Sequence, residues 1–186
     1  MSDLNKQNER LNFLLEGFRA DSKNYKDIKI PSDGEEKMRI LRSLMNIRMP
    51  GRMSDAIIKI QDEYLQECAN EKGIIELSDI AIAKDNISIW QGDITRLKLD
   101  AIVNAANSQM LGCFIPMHTC IDNQIHTFAG IQLREECNSK MNDLRKLYGN
   151  NYEQPTAIPM LTDAYNLPAK KVIHIVGPIV ESKLTA

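Results

Sequence analysis

Asp100-Ala101-Ile102-Val103-Asn104-Ala105-Ala106-Asn107-Ser108 is a short apolar run that ends in two amides set among small residues. Its length suits one buried strand, and Lys171-Val172-Ile173-His174-Ile175-Val176 repeats the pattern as a near-continuous apolar run. Between the two, Ile121, Ile125, Phe128, Ala129 and Cys137 mark a helical stripe, read as one helix over 121–137. Further strand-length runs fall within 81–90 and 156–161. Strands alternating with a helix predict an α/β fold with a largely parallel sheet flanked by helices. Ligands of open α/β sheets bind at the carboxyl ends of the strands, which is where Asn104 and Asn107 stand.

Upstream the pattern changes. Leu11, Leu14, Leu15 and Phe18 recur at helical spacing, as do Met38, Leu41, Leu44 and Met45. Ile30-Pro31-Ser32-Asp33-Gly34 interrupts them, with Ser32 or Asp33 as cap for the second helix, which Met49-Pro50-Gly51 ends. A third stripe over about 53–71 runs through Ile57, Ile60, Gln61, Tyr64, Leu65 and Cys68, and Gly73 closes it. Residues 1–75 are therefore expected to form a helical extension, and 76–186 an α/β domain, with the boundary near 73–80.

The composition, 43% hydrophobic and 26% charged, allows a real core. A net charge of −2, with both signs mixed along the chain, provides no electrostatic footprint for nucleic acid. No apolar run approaches the roughly 18–20 residues that span a bilayer. The start, Met1-Ser2-Asp3-Leu4-Asn5-Lys6, has no signal-peptide core. A cytoplasmic protein that binds neither nucleic acid nor membrane is the expectation, and its four cysteines need not be disulfides.

Chemistry concentrates in Leu111-Gly112-Cys113-Phe114-Ile115-Pro116-Met117-His118-Thr119-Cys120-Ile121-Asp122-Asn123. Cys113, His118 and Cys120 place two soft ligands and one borderline ligand within eight residues, compact enough to wrap one zinc ion. Structural zinc usually takes four protein ligands, whereas a Cys₂His set with an open position is the catalytic pattern. Cys68 or Cys137 could complete a fourth, and plain core packing of all three is the competing reading. Asp122 could cap the following helix. Asp93 could cap a loop, and Asn104 and Asn107 could simply satisfy the strand end. His126 reads as a packing residue or one that supports the site's own side chains, not a ligand; His174 reads as structural within a buried strand, and Trp90 as core.

Gln91-Gly92-Asp93-Ile94-Thr95, Asp100–Ser108, Ile125-His126-Thr127-Phe128-Ala129-Gly130 and Val172-Ile173-His174-Ile175-Val176-Gly177-Pro178 occur in this order over roughly 80–180. Together they resemble a macrodomain. Most macrodomains carry a glycine-rich loop before the aspartate; here Gly112–Cys120 stands instead, and resembles the zinc-dependent, mainly microbial branch, as does the helical extension. The resemblance implies a macrodomain-like mixed, largely parallel sheet and a Zn²⁺ ion held by Cys113, His118 and Cys120. It implies that Asp93, with Ile94, binds the adenine of ADP-ribose and that Asn107 holds the distal ribose, with Asn104 either a further substrate-binding residue or an amide serving only the backbone. Asp122, with Asn107, would serve catalysis. The implied reaction is removal of ADP-ribose from modified protein side chains, acidic ones included. A lipoylated carrier protein as target and a sirtuin-type ADP-ribosyltransferase as functional partner are implied in the same way. A non-catalytic ADP-ribose-binding module, or an inactive remnant, is the alternative. Macrodomains normally carry a further phosphate-binding loop, and none is found before Ala186. The polar tail Glu181–Ala186 also reads as unfinished, so the domain is expected to be incomplete at its C-terminus.

Overall fold

A computed structural model describes residues 3–178, so the tail Glu181–Ala186 lies outside the described residues. Three helices come first: α1 (Asp3–Asp21), α2 (Gly34–Ile47) and α3 (Asp55–Lys72). Asp33 caps α2 by accepting the Glu36 N–H at 2.9 Å, and Glu35 and Glu36 sit in its first turn, where the helix dipole favours carboxylates. Ser54 caps α3 in the same way through the Ile57 N–H. The predicted stripes meet: Leu11, Leu14, Leu15 and Phe18 bury against Leu41, Leu44, Met45, Tyr64 and Leu65. Met38 departs from its stripe and stays 46% exposed. Gln61, the polar member of the third stripe, is fully buried because its Oε1 accepts the Ile131 N–H at 3.1 Å.

Helix gives way to strand between Lys72 and Ile75. The strands are β1 (Ile75–Glu76), β2 (Ile82–Lys84), β3 (Ile87–Ser88), β4 (Leu97–Lys98), β5 (Ala101–Ala106), β6 (Met160–Asp163) and β7 (Lys171–Val176), with α4 (Ile121–Ala129) and α5 (Ile131–Tyr148) between β5 and β6. The α/β class stands, and the main sheet is mixed. β7 lies in its centre, parallel to β5 and antiparallel to β6, in the order β5-β7-β6. β1 and β4 form a parallel pair, and β2 and β3 an antiparallel one. The α4 and α5 faces cover the sheet through Ile125, Ala129, Leu133 and Cys137, packed with Ile102 and Val172. Among the described residues no helix is long and apolar enough to cross a membrane.

One expectation needs correction, and two strand-length runs do form strands but with other bounds or exposure. The stripe from Ile121 to Cys137 is two helices: at Gly130 φ is +94°, a left-handed backbone that an L side chain resists. A Cβ there would also stand 2.6 Å from the Gln61 Nε2. The segment 81–90 is an exposed hairpin turned by Asp85 and Asn86, both at positive φ, with Ile82, Ile87 and Ile89 facing outward. The 156–161 run becomes a strand only at Met160, because Pro155 and Pro159 offer no N–H to a ladder; Thr156 makes just an isolated bridge to Val176.

Candidate active site

Alternation along β5 decides which of its residues enter the site. Ile102 and Asn104 point inward while Val103 and Ala105 face out. The β5–β7 register sets Asn104 directly beside His174. Asn104 is fully buried and donates from Nδ2 to Asp122 Oδ1 at 2.8 Å and to His174 Nδ1 at 3.0 Å. Asn107, just past the strand, donates from Nδ2 to Asp122 Oδ2 at 3.3 Å and to the Gly112 carbonyl at 3.1 Å. Each oxygen of the Asp122 carboxylate thus meets one amide from the end of β5. Asp122 is 5% exposed, and burial raises its pKa against the opposing pull of the Asn104 hydrogen bond and the Arg134 charge.

Asp122 does not cap α4. That place belongs to Cys120, whose Sγ accepts the Asn123 N–H at 3.4 Å. Gly112 opens the loop before it at φ +80°, where a Cβ would meet the His126 ring at 2.8 Å. The ligand atoms of Cys113, His118 and Cys120 lie within 4.8 Å of one another, with Cys113 Sγ and His118 Nδ1 3.5 Å apart. His118 is exposed and the two cysteines are half-buried, so this cluster is open to solvent. The buried Asn123 staples the loop by donating to the Cys113 and Ile115 carbonyls at 3.2 and 3.0 Å. Neither other cysteine joins it. Cys68 accepts from Gln7 on the helical layer, and Cys137 lies 3.8 Å from His174 Nε2.

Asp93 sits apart from the Asp122 hydrogen bonds. Its Oδ1 accepts from the Thr95 N–H and hydroxyl at 2.9 and 2.6 Å, capping the short turn Ile94–Arg96. Its other oxygen faces Lys72 at 4.0 Å and is partly exposed. The capping role weighed from the sequence is thus present, and one carboxylate oxygen is left for another partner. His126 is buried with its Nε2 3.6 Å from Asp122 Oδ1, and His174 is buried between Asn104 and Thr162; Trp90 is half-buried against the sheet core.

Sequence reasoning missed Arg134. It is buried, and its guanidinium donates to the carbonyls of Leu111, Met45, Asn46 and Arg48 while lying 4.4 Å from the Phe114 ring centre. The signal was available: Ile131, Arg134, Cys137 and Met141 share one helical stripe, so the arginine had to be buried and had to find acceptors. Asn46 and Asn123 carried no comparable signal, since an amide inside a helix is as often exposed.

A sequence model described as "Macro domain" matches residues 103–186. The protein-ADP-ribose hydrolase of Treponema medium is 46% identical over 183 residues, covering 96% of this chain and 68% of that protein. The protein of the same name from Staphylococcus aureus (strain MRSA252) is 40% identical over 179 residues, covering 96% of this chain and 65% of its own length. The chain therefore spans about two thirds of these relatives. Among solved structures, a Trypanosoma brucei macrodomain in complex with ADP overlaps in part, at 25% identity and a TM-score of 0.48, over 77% of this chain and 62% of that one. On the strength of the sequence matches the chain belongs to the Macro domain family, with microbial protein-ADP-ribose hydrolases as its relatives.

Proposed function

We propose that this protein is a zinc-dependent hydrolase that removes ADP-ribose from modified protein side chains, acidic ones included. One observation carries the reading. The start of α4 holds both a candidate metal ligand, Cys120, and two residues later the buried carboxylate of Asp122, which the amides of Asn104 and Asn107 flank. The names of the relatives support the substrate class. The donor chemistry suits zinc: two thiols and an imidazole, close together, facing solvent and tied to few other partners. Cys113, His118 and Cys120 would hold the ion. Zinc bound there would supply Lewis acidity, either to fix ribose and diphosphate oxygens or to acidify a water.

The chain's own residues do the rest. Asn107 and Asn104 orient the Asp122 carboxylate. The NH₂ of Asn107 is shared between Asp122 and the Gly112 carbonyl, so Asn107 would meet a distal-ribose hydroxyl on the lone pair of Oδ1 that the Gln109 N–H leaves free. Asp122 orients the attacking water and takes its proton as the water oxygen bonds to the anomeric carbon of the distal ribose; the bond from that carbon to the side-chain oxygen breaks, and an acidic side chain leaves as its carboxylate without needing a proton. Asp93 receives the adenine amino group on the oxygen that Thr95 leaves free, beside the Ile94 backbone. A lipoylated carrier as target and a sirtuin-type transferase as partner rest on family resemblance and belong to the same proposal.

The test combines metal analysis with turnover of an ADP-ribosylated protein. Wild type should carry about one zinc per chain. His118→Ala with Cys120→Ala should lose it, and Cys113→Ala should lose turnover. Asp122→Ala should keep the zinc and slow the reaction by a hundredfold or more, about what a general base contributes. Unchanged zinc content in the double variant would sink the metal site. Both oxygens of Asp122 already accept amide hydrogen bonds, which favours one rival, a module that binds ADP-ribose without cleaving it. ADP-ribose binding without turnover in wild type would establish that rival.

A further inference from the structure

The loop that carries His118 is held from outside the α/β part of the chain. Arg42 of α2 donates from Nη2 to the His118 carbonyl at 2.8 Å and to Asn123 Oδ1 at 3.0 Å. Asn46, one helical turn later on α2, accepts the Met117 N–H on Oδ1 at 3.1 Å and donates from Nδ2 to Thr127 Oγ1 at 2.9 Å. These two side chains thus grip adjacent residues of the loop. Met117 needs the grip, because its φ of +58° lies in the left-handed region, which a side chain as long as methionine adopts only when its surroundings impose it. Asn46 is 1% exposed, so its amide is desolvated, and the Met117 N–H and the Thr127 hydroxyl satisfy it in full view of that strained turn.

We infer that Arg42 and Asn46 are positioning residues for the His118–Cys120 arm, which makes the helical layer part of the site. The inference rests on the zinc reading for its consequence, and on the hydrogen bonds alone for the positioning. An arm held in one geometry keeps its donor atoms arranged for a cation before the cation arrives; an arm released into many conformers must be ordered by binding.

Two measurements on the whole protein test this: zinc retention against a chelator, and alkylation rates of Cys113 and Cys120 in metal-free protein, followed peptide by peptide. Arg42→Met keeps the aliphatic stem and removes the Nη2 group that makes both hydrogen bonds. Asn46→Ala removes the grip on Met117. Each should leave the melting temperature within a few degrees, speed alkylation about tenfold and weaken zinc retention about tenfold. Arg42→Lys, which can still reach one acceptor, should recover part of both, and the exposed Glu36→Gln should change neither. Should Asn46→Ala fail to fold, Arg42→Met alone decides. Faster alkylation in a wild-type background that holds no zinc would reject the metal reading and keep the positioning. Alkylation at the wild-type rate in every folded variant overturns the inference, whatever the zinc retention.

Discussion

Among the described residues two sets of cysteine and histidine side chains gather their donor atoms, one in an open loop and one in the core. In Cys113, His118 and Cys120 the donor atoms lie within 4.8 Å of one another; in His126, Cys137 and His174 they do so as well. The first set comes from eight consecutive residues and faces solvent. The second is brought together by α4, α5 and β7 and is fully buried.

Hydrogen bonding separates them further. Asn104 must turn its NH₂ toward the Asp122 carboxylate, and the same nitrogen lies 3.0 Å from His174 Nδ1. His174 Nδ1 is then the acceptor and its proton sits on Nε2, which donates to Thr162 Oγ1 at 3.0 Å. No lone pair is left on Nε2 for a cation. Burial drives the Cys137 thiol up to about 12 and lowers His174 to about 4, so both are neutral. His126 is pushed well below its ordinary value, first by burial and then by the charge of Arg134. Proximity of ligand types is therefore a weak criterion. An open path to solvent discriminates better, since in the buried set only His174 has its ring nitrogens committed and neither ring nitrogen of His126 is hydrogen-bonded.

The largest expected effect lies in the buried set. His174→Ala leaves a cavity and strips partners from Asn104 and Thr162, which should cost about 3 kcal/mol in urea denaturation. A loss under about 1 kcal/mol would break the distinction between a committed core network and a loose cluster.

Acidification comes next. A histidine whose folded pKa lies below its unfolded value of 6.5 takes up a proton on unfolding, so its contribution is present at neutral pH and fades as pH falls from 6.5 toward 4. For His174 alone the loss between pH 7 and pH 5 amounts to about 2 kcal/mol, and His126 adds to it in the same direction. Asp122, raised by burial, pulls the opposite way at lower pH. Unfolding curves at the two pH values should show the drop, and His174→Asn should flatten it; an equal slope in that variant would remove His174 as the cause.

The smallest effect belongs to the loop. Cys113→Ala in metal-free protein should change unfolding free energy by no more than about 0.5 kcal/mol, because that side chain is half-exposed and its Sγ meets only the weak thiol and ring partners Cys120 and His118 within the loop. Outright unfolding would show that the loop is structural and that the two sets differ less than their environments imply.

Periodicity and local spacing made much of this legible without coordinates. The three N-terminal stripes, the strands at 101–106 and 171–176, and the crowding of Cys113, His118 and Cys120 are all short-range patterns, and a helix or a loop expresses such patterns wherever it is placed. The helix break at Gly130 is hidden in the sequence because Cys137 continues the apolar spacing across it. The long-range pairs were out of reach for a different reason. Asn104 faces His174 across 70 residues, Arg42 grips a loop 76 residues away, and Arg134 reaches back to the end of α2. Buried polar groups must find partners, but a sequence states only that need. Which donor meets which acceptor was settled by strand register, by the turn at Gly112 and by the packing of the helical layer against α4 and α5.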